Sequence, residues 1–236
     1  MQVQSGEGKK EKVRKMFNNI SGHYDFLNHF LSFGIDILWR KKMIRKMGKF
    51  QPQIILDVAT GTGDLAIEAL KLKPQKMVGL DISEGMLDIG RKKLKKRKLD
   101  SFIDLQLGDS ENMPFEDGAF DASMVAFGVR NFETLDKGLA EMHRTLKNNG
   151  RIWVLEFSKP KHFPVKQLYN FYFKNILPLI GRIISKDQSA YTYLPDSVNE
   201  FPSGKEFLEH LKAVGFEELK MFPLSFGIAT IYCGKK

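Results

Sequence analysis

The chain of 236 residues has a single cysteine, Cys233, so no disulfide can close within it, which fits a reducing compartment. Long apolar runs are also missing. The longest stretch without a charged residue is Met221 to Gly234, 14 residues broken by Pro223 and two glycines, too short to span a bilayer. No charged-then-apolar leader opens the sequence, and "MQVQSGEGKKEK" reads as a solvated tail. Internal repeats, low-complexity tracts and obvious linkers are absent as well. These absences lead to the expectation of a soluble, cytoplasmic, single-domain protein, and 42% hydrophobic residues suffice for a substantial core.

Acidic residues are the scarcer charge, 28 against 37 Lys and Arg, for a formal net charge of +9. The excess is concentrated. Residues 1–50 carry 11 Lys and Arg against 4 Asp and Glu, and "RKKLKKRK" at 91–98 adds seven more positive charges. Concentrated basic charge attracts polyanions, either nucleic acid or an anionic membrane surface, although 91–98 also reads simply as the solvated end of a helix. No nucleic-acid-binding signature accompanies it, so nucleic acid is not an expected partner. A peripheral contact with an anionic membrane is an expectation, and no metal site is expected. The residues leave the oligomeric state open, a homodimer included.

Several segments alternate in type along the chain. Val13, Met16, Phe17 and Ile20 recur at helical spacing, and a second helix is expected over Ile37 to Met47. "QIILDVATGTGDLAIEALKL" then reads as strand, glycine-rich turn and helix. "KMVGLDIS" is a second strand, followed by a helix from about Glu84; "DLQLGDS" is a third strand and "FDASMVAF" a fourth. Leu135, Leu139, Met142 and Leu146 mark a helix that "NNG" at 148–150 is expected to stop, before a fifth strand "RIWVLEFS". Residues 159–200 hold seven aromatics and little strand character. A helix near 204–214 leads into "EELKMFPLSFGIATIYCG", read as a terminal hairpin. Strands alternating with helices imply a doubly wound α/β, mostly parallel sheet. A helical extension (1–48) precedes it, and the main domain (49–236) carries an insertion at about 159–200.

The glycine-rich turn contains Gly61-x-Gly63-x-x-Ala66, which matches the dinucleotide fingerprint and would admit an oxidoreductase. Its surroundings argue otherwise. A pyrophosphate sits at the start of the following helix, where Asp64 stands here, with Asp57 at the end of the preceding strand. Two carboxylates there suit a ligand with positive charge and no phosphate, and S-adenosyl-L-methionine carries an ammonium and a sulfonium. Asp81 ends the second strand, where a carboxylate accepts ribose hydroxyls, and Asp109 and Ser110 follow the third, where an adenine amino group can be recognised.

The turn, Asp81 and Asp109 resemble the class I S-adenosyl-L-methionine-dependent methyltransferases. "MFNNISGHYDFLNHFLSFGID", "LDVATGTGDLA", "MPFEDGAFD", "AFGVRNF", "VLEFSKP" and "YTYLPDSVNEFP" narrow the resemblance to the C-methyltransferases of menaquinone and ubiquinone biosynthesis, from about Val13 to Tyr232. Two departures are Thr60, where the family often has glycine, and Ala126, where a serine hydroxyl can occur. The resemblance implies methylation of a polyprenylated hydroquinone at a ring carbon, naphthoquinol or benzoquinol. It implies a cofactor set of Asp57, Ala59, Gly61, Thr62, Gly63, Asp64, Asp81, Ile82, Asp109, Ser110 and Ala126. In that chemistry Arg130 suits a quinolate oxygen, its alternative being an ion pair with Glu133 or Glu156. Asn131 suits the second oxygen, and Phe127 and Phe132 suit the walls of a flat ring. His23 and Tyr24, on a helical lid, are candidates for the proton acceptor or for orienting water, with Tyr24 also a substrate contact. The apolar stretch 163–184 is either ordinary packing or a cover for an isoprenoid tail that rests on the membrane.

Overall fold

A computed structural model of the protein describes residues 8–23, 34–172, 175 and 189–236, with the backbone alone at 23, 170 and 189–192. Tyr24 and most of the stretch 173–188 lie outside the described residues.

Five parallel strands follow one another with helices between them, except that a helix-free segment joins the third to the fourth. They are β1 (Ile54–Val58), β2 (Lys76–Asp81), β3 (Ile103–Leu107), β4 (Phe120–Ala126) and β5 (Leu146–Phe157), joined by β6 (Glu217–Leu224) and β7 (Ala229–Lys235) in the order β3-β2-β1-β4-β5-β7-β6. The terminal hairpin is real, and β7 is antiparallel to both β5 and β6. The winding reverses between β1 and β4, which is where open α/β sheets leave a crevice beyond the strand carboxyl ends.

Both faces of the sheet are covered, so its central strands are apolar at every second residue twice over. Met77, Met124 and Trp153 pack on one side with Met43 and Met47 of α2 (Ile35–Met47). Val78, Val125 and Val154 pack on the other with Leu139 and Met142 of α5 (Leu135–Thr145) and with Phe207 of α8 (Lys205–Ala213). Between them lie α3 (Asp64–Ala69), α4 (Glu84–Arg97), α6 (Val165–Phe171) and α7 (Ser189–Glu200), while α1 (Lys9–Ile20) precedes the sheet. Among the described residues no helix is long and apolar enough to cross a membrane.

"NNG" does not stop α5. The helix yields at Leu146 directly to β5, and the asparagine pair sits in an irregular stretch of that strand, where pairing with β4 shifts register and Asn149 adopts φ 68°. Gly79 explains one departure from the family pattern. A side chain there would come within 2.9 Å of Thr60 Oγ1, so the bare glycine leaves room for the threonine.

Candidate active site

β1 and β4 both end in a residue bent into the left-handed region, Ala59 at φ 52° and Phe127 at φ 59°. Non-glycine residues are uncommon there, and a bulky one needs a surrounding structure that holds it. Gly128 lets the two bends meet, since a Cβ on it would lie 2.7 Å from that of Ala59. The cleft opens between them, at the winding reversal.

One wall comes from β1, β2 and the residues after β3. Ala59, Gly61, Asp81, Ile82, Asp109 and Ser110 line it, with Leu80 and Met86 adding apolar surface. Asp81 organises this wall. Its Oδ2 accepts from the Gly61 amide at 2.7 Å and its Oδ1 from that of Ser83 at 2.8 Å, joining the glycine turn to the start of α4. Burial pushes its carboxyl up to about 6, against those two amides, which favour the anion. A carboxylate has about four lone-pair sites, so acceptor capacity remains beyond the two amides.

Four members of the expected cofactor set do not line the cleft: Asp57, Thr62, Gly63 and Asp64. Asp57 is buried beneath the turn, accepts from Thr60 Oγ1 at 2.7 Å, and is pushed up to about 7, first by burial and further by neighbouring Asp81. Asp64 pairs with Lys93 at 2.7 Å and lies 3.6 Å from Arg40. The acids beside Asp81 on the cleft wall are Asp109, Glu111 and Glu133.

The opposite wall is formed by Ala126, Phe127, Gly128, Asn131 and Phe132. Asn131 Oδ1 accepts from the Tyr193 hydroxyl at 3.0 Å, fixing the amide orientation from α7. Phe132 lies against Gly138, where any side chain would collide with its ring. Arg130 does not line the cleft. Its guanidinium, 7% exposed, donates to Glu156 Oε1 at 2.9 Å and to the Phe127 carbonyl, and it faces the Phe157 ring at 5.6 Å. Of the partners expected for Arg130, the one it holds here is the buried acid Glu156. Desolvation raises the Glu156 carboxyl above the ordinary range, although the guanidinium opposes it.

α1 closes the cleft with Lys10, Val13 and Phe17. Lys9, in a segment that reads as solvated tail, donates to the carbonyls of Arg130 at 3.0 Å and Phe132 at 2.8 Å; burial lowers its pKa. Lys10 binds Asp109 at 2.6 Å, and that bond raises its pKa. Asn18 Oδ1 accepts from Ser83 Oγ at 2.7 Å and Gly85 N at 2.9 Å, seating α1 on the start of α4. Part of the N-terminal basic charge is therefore spent inward, on the lid. Of the expected proton acceptors, His23 has its backbone in the short turn after α1, and Tyr24 falls outside the described residues. The 91–98 run is the end of α4, where Arg91 pairs with Glu84 at 2.6 Å and Lys95 and Lys96 are exposed.

Sequence reasoning did not find Lys9, Lys10, Asn18 or Tyr193. Asn18 stood within "MFNNISGHYDFLNHFLSFGID" and Tyr193 within "YTYLPDSVNEFP", which were the available signals; for the two lysines the local sequence has none.

Solved structures share the architecture. A SAM-dependent methyltransferase of Thermotoga maritima superposes with a TM-score of 0.66 at 19% identity, covering 94% of this chain and 99% of that one. Phosphoethanolamine N-methyltransferase 2 of Haemonchus contortus, solved with S-adenosyl-L-methionine, gives 0.60 at 14% identity, covering 83% and 52%. Sequence relatives are far nearer. The demethylmenaquinone methyltransferase of Bacteroides fragilis is 48% identical over 98% of this chain and 96% of its own length. The ubiquinone/menaquinone biosynthesis C-methyltransferase UbiE of Citrifermentans bemidjiense is 47% identical over 97% of each. The family model of the ubiE/COQ5 methyltransferases matches residues 5–236. With that match across the described cleft and sheet alike, the chain belongs to the ubiE/COQ5 methyltransferase family.

Proposed function

We propose that the protein catalyses S-adenosyl-L-methionine-dependent C-methylation of a polyprenylated hydroquinone, converting demethylmenaquinol to menaquinol. The observation that carries this is the near-full-length similarity to relatives named demethylmenaquinone methyltransferase, at 48% and 46% identity.

The cleft fits the methyl donor. Among the described residues Lys10 is the single cation on its wall, and it is already bound to Asp109. A pyrophosphate would face Asp81, Asp109, Glu111 and Glu133 with no unspent cation, which disfavours a dinucleotide. An ammonium and a sulfonium are matched by the same acids. Asp81 would take the ribose hydroxyls, Asp109 and Ser110 the adenine edge, and Ile82 and Met86 its faces. The bound donor supplies an electrophilic methyl group.

The opposite wall handles the acceptor. A quinol ring carbon becomes nucleophilic as a neighbouring hydroxyl loses its proton. A donor aimed at that oxygen favours the anion. Asn131, oriented by Tyr193, is that donor, and Phe127 and Phe132 bound the ring. Arg130 acts as a positioning residue: it holds the left-handed Phe127 by its carbonyl while Glu156 balances its charge. Proximity of ring and donor does the rest.

An assay with short-chain demethylmenaquinol and the corresponding methoxy-benzoquinol tests the proposal. The naphthoquinol is expected to be methylated, and Asn131→Ala to lower kcat about a hundredfold while S-adenosylhomocysteine affinity holds. Failure to methylate either quinol would sink the proposal. Preference for the benzoquinol would reassign the headgroup, an alternative that the name of the Citrifermentans bemidjiense relative keeps in view.

A further inference from the structure

The 225–227 turn between β6 and β7 presents a phenyl ring that the fold does not use. Ser225, Phe226 and Gly227 all have positive φ, at 44°, 58° and 94°. That region is costly for a bulky residue, yet Phe226 is 83% exposed, so burial does not offset the strain. The turn is braced on both sides. Trp39 Nε1 donates to Ser225 Oγ at 2.9 Å, and Ser158 Oγ donates to the Gly227 carbonyl at 2.8 Å. These hydrogen bonds hold the turn that carries the exposed ring.

The same braces gather other apolar tips. A Cβ on Gly227 would lie 3.6 Å from Pro160, which leads to Phe163, Leu168 and Phe171, exposed by 80, 65 and 58%. Trp39 brings in the start of α2, where Leu38 is 61% exposed. Isolated exposed apolar residues are ordinary, but five on three adjoining segments mark an interaction face.

Charge says what covers it. Leu38, Lys41, Lys42 and Arg45 are spaced i, i+3, i+4 and i+7, and all four are exposed on one face of α2. Residues 157–172 contain three lysines and no Asp or Glu, and Lys161 and Lys166 stand exposed on the segment that carries the apolar tips. Aromatic tips amid cations complement an anionic bilayer, rings toward the acyl boundary and ammoniums toward phosphate. We propose that this face docks on an anionic lipid bilayer with Phe226 as its insertion tip. It lies at the carboxyl end of β5, the sheet edge on which the cleft also opens.

Vesicle flotation of the full chain tests this independently of methyl transfer. The wild type is expected to float with phosphatidylcholine vesicles containing phosphatidylglycerol and to stay behind with phosphatidylcholine alone. Phe226→Ser should weaken partitioning about tenfold, and the Lys161→Glu/Lys166→Glu double variant should weaken it at low salt. Thermal unfolding checks that each variant is folded. Wild type that ignores anionic vesicles, or folded variants that float as it does, would overturn the proposal. So would a concentration-dependent oligomer abolished by Phe226→Ser without vesicle binding, which would make the face a protein interface.

Discussion

The two walls of the cleft are built by opposite means. The β1–β3 wall is held by local connections: Asp81 accepts amides 2 and 20 residues away, and the turn it organises sits between consecutive elements. The β4–β5 wall is held by distant ones. Arg130 reaches Glu156, 26 residues on, Asn131 meets Tyr193, and Lys9 arrives from more than a hundred residues earlier. One wall is a polar receptor made by the backbone. The other is a strained, apolar surface whose shape depends on one buried ion pair.

The largest effect expected follows from that pair. Arg130→Leu leaves Glu156 buried without its cation, and should cost about 3–5 kcal/mol of stability in urea denaturation. Adding Glu156→Leu should recover much of that stability but not turnover, since Phe127 still lacks the donor to its carbonyl. Unchanged stability in the single variant would show that the guanidinium serves a ligand instead of the fold.

On the other wall, Asp81→Ala should weaken S-adenosylhomocysteine binding by more than about a hundredfold, for two charge-assisted hydrogen bonds lost. Its pH dependence has a definite sign. Asp57 and Asp81 have folded pKa values of about 7 and 6 against an ordinary 3.8. The folded state therefore binds protons more readily than the unfolded chain across this window, and the unliganded protein gains stability from these groups as pH falls from 7 toward 4. Ligand affinity moves the other way, weakening as Asp81 protonates below about pH 6. The rise in Tm caused by S-adenosylhomocysteine should therefore shrink in acid, and the Asp81→Asn variant should lose most of that dependence.

The smallest effect tests how the lid joins the two walls. Asn18→Ala removes the acceptor for Ser83 and Gly85, and should cost about 1 kcal/mol, or a few-fold in KM for the methyl donor. No change in KM would mean that α1 is seated without Asn18, by Lys9, Lys10 and its apolar contacts.

Much of the first wall was legible because its geometry is carried by short-range pattern. An acid at or just beyond a strand end, a glycine turn and a helix start are adjacent in the chain, and parallel pairing puts three such ends side by side. Asp57 and Asp64 carry the same pattern but do not line the cleft. The pattern reports where an acid sits along a strand or helix, and it is silent on whether the side chain faces the crevice or lies under the turn. The second wall was legible only as a puzzle, polar Arg130 and Asn131 among hydrophobic neighbours. Its answer depends on the register that sets β4 beside β5 and on a tyrosine from within the insertion.

By itself the sequence determined the succession of strands and helices, the terminal hairpin and the acids at the strand ends, since hydrophobic period and turn chemistry are local quantities. Only the tertiary structure decided which cations are spent. Lys9 and Lys10 close the lid, and Arg130 is neutralised by Glu156. The physical reason is that a charge's partner is chosen by distance in space and by desolvation, and neither is written in the spacing of residues along the chain.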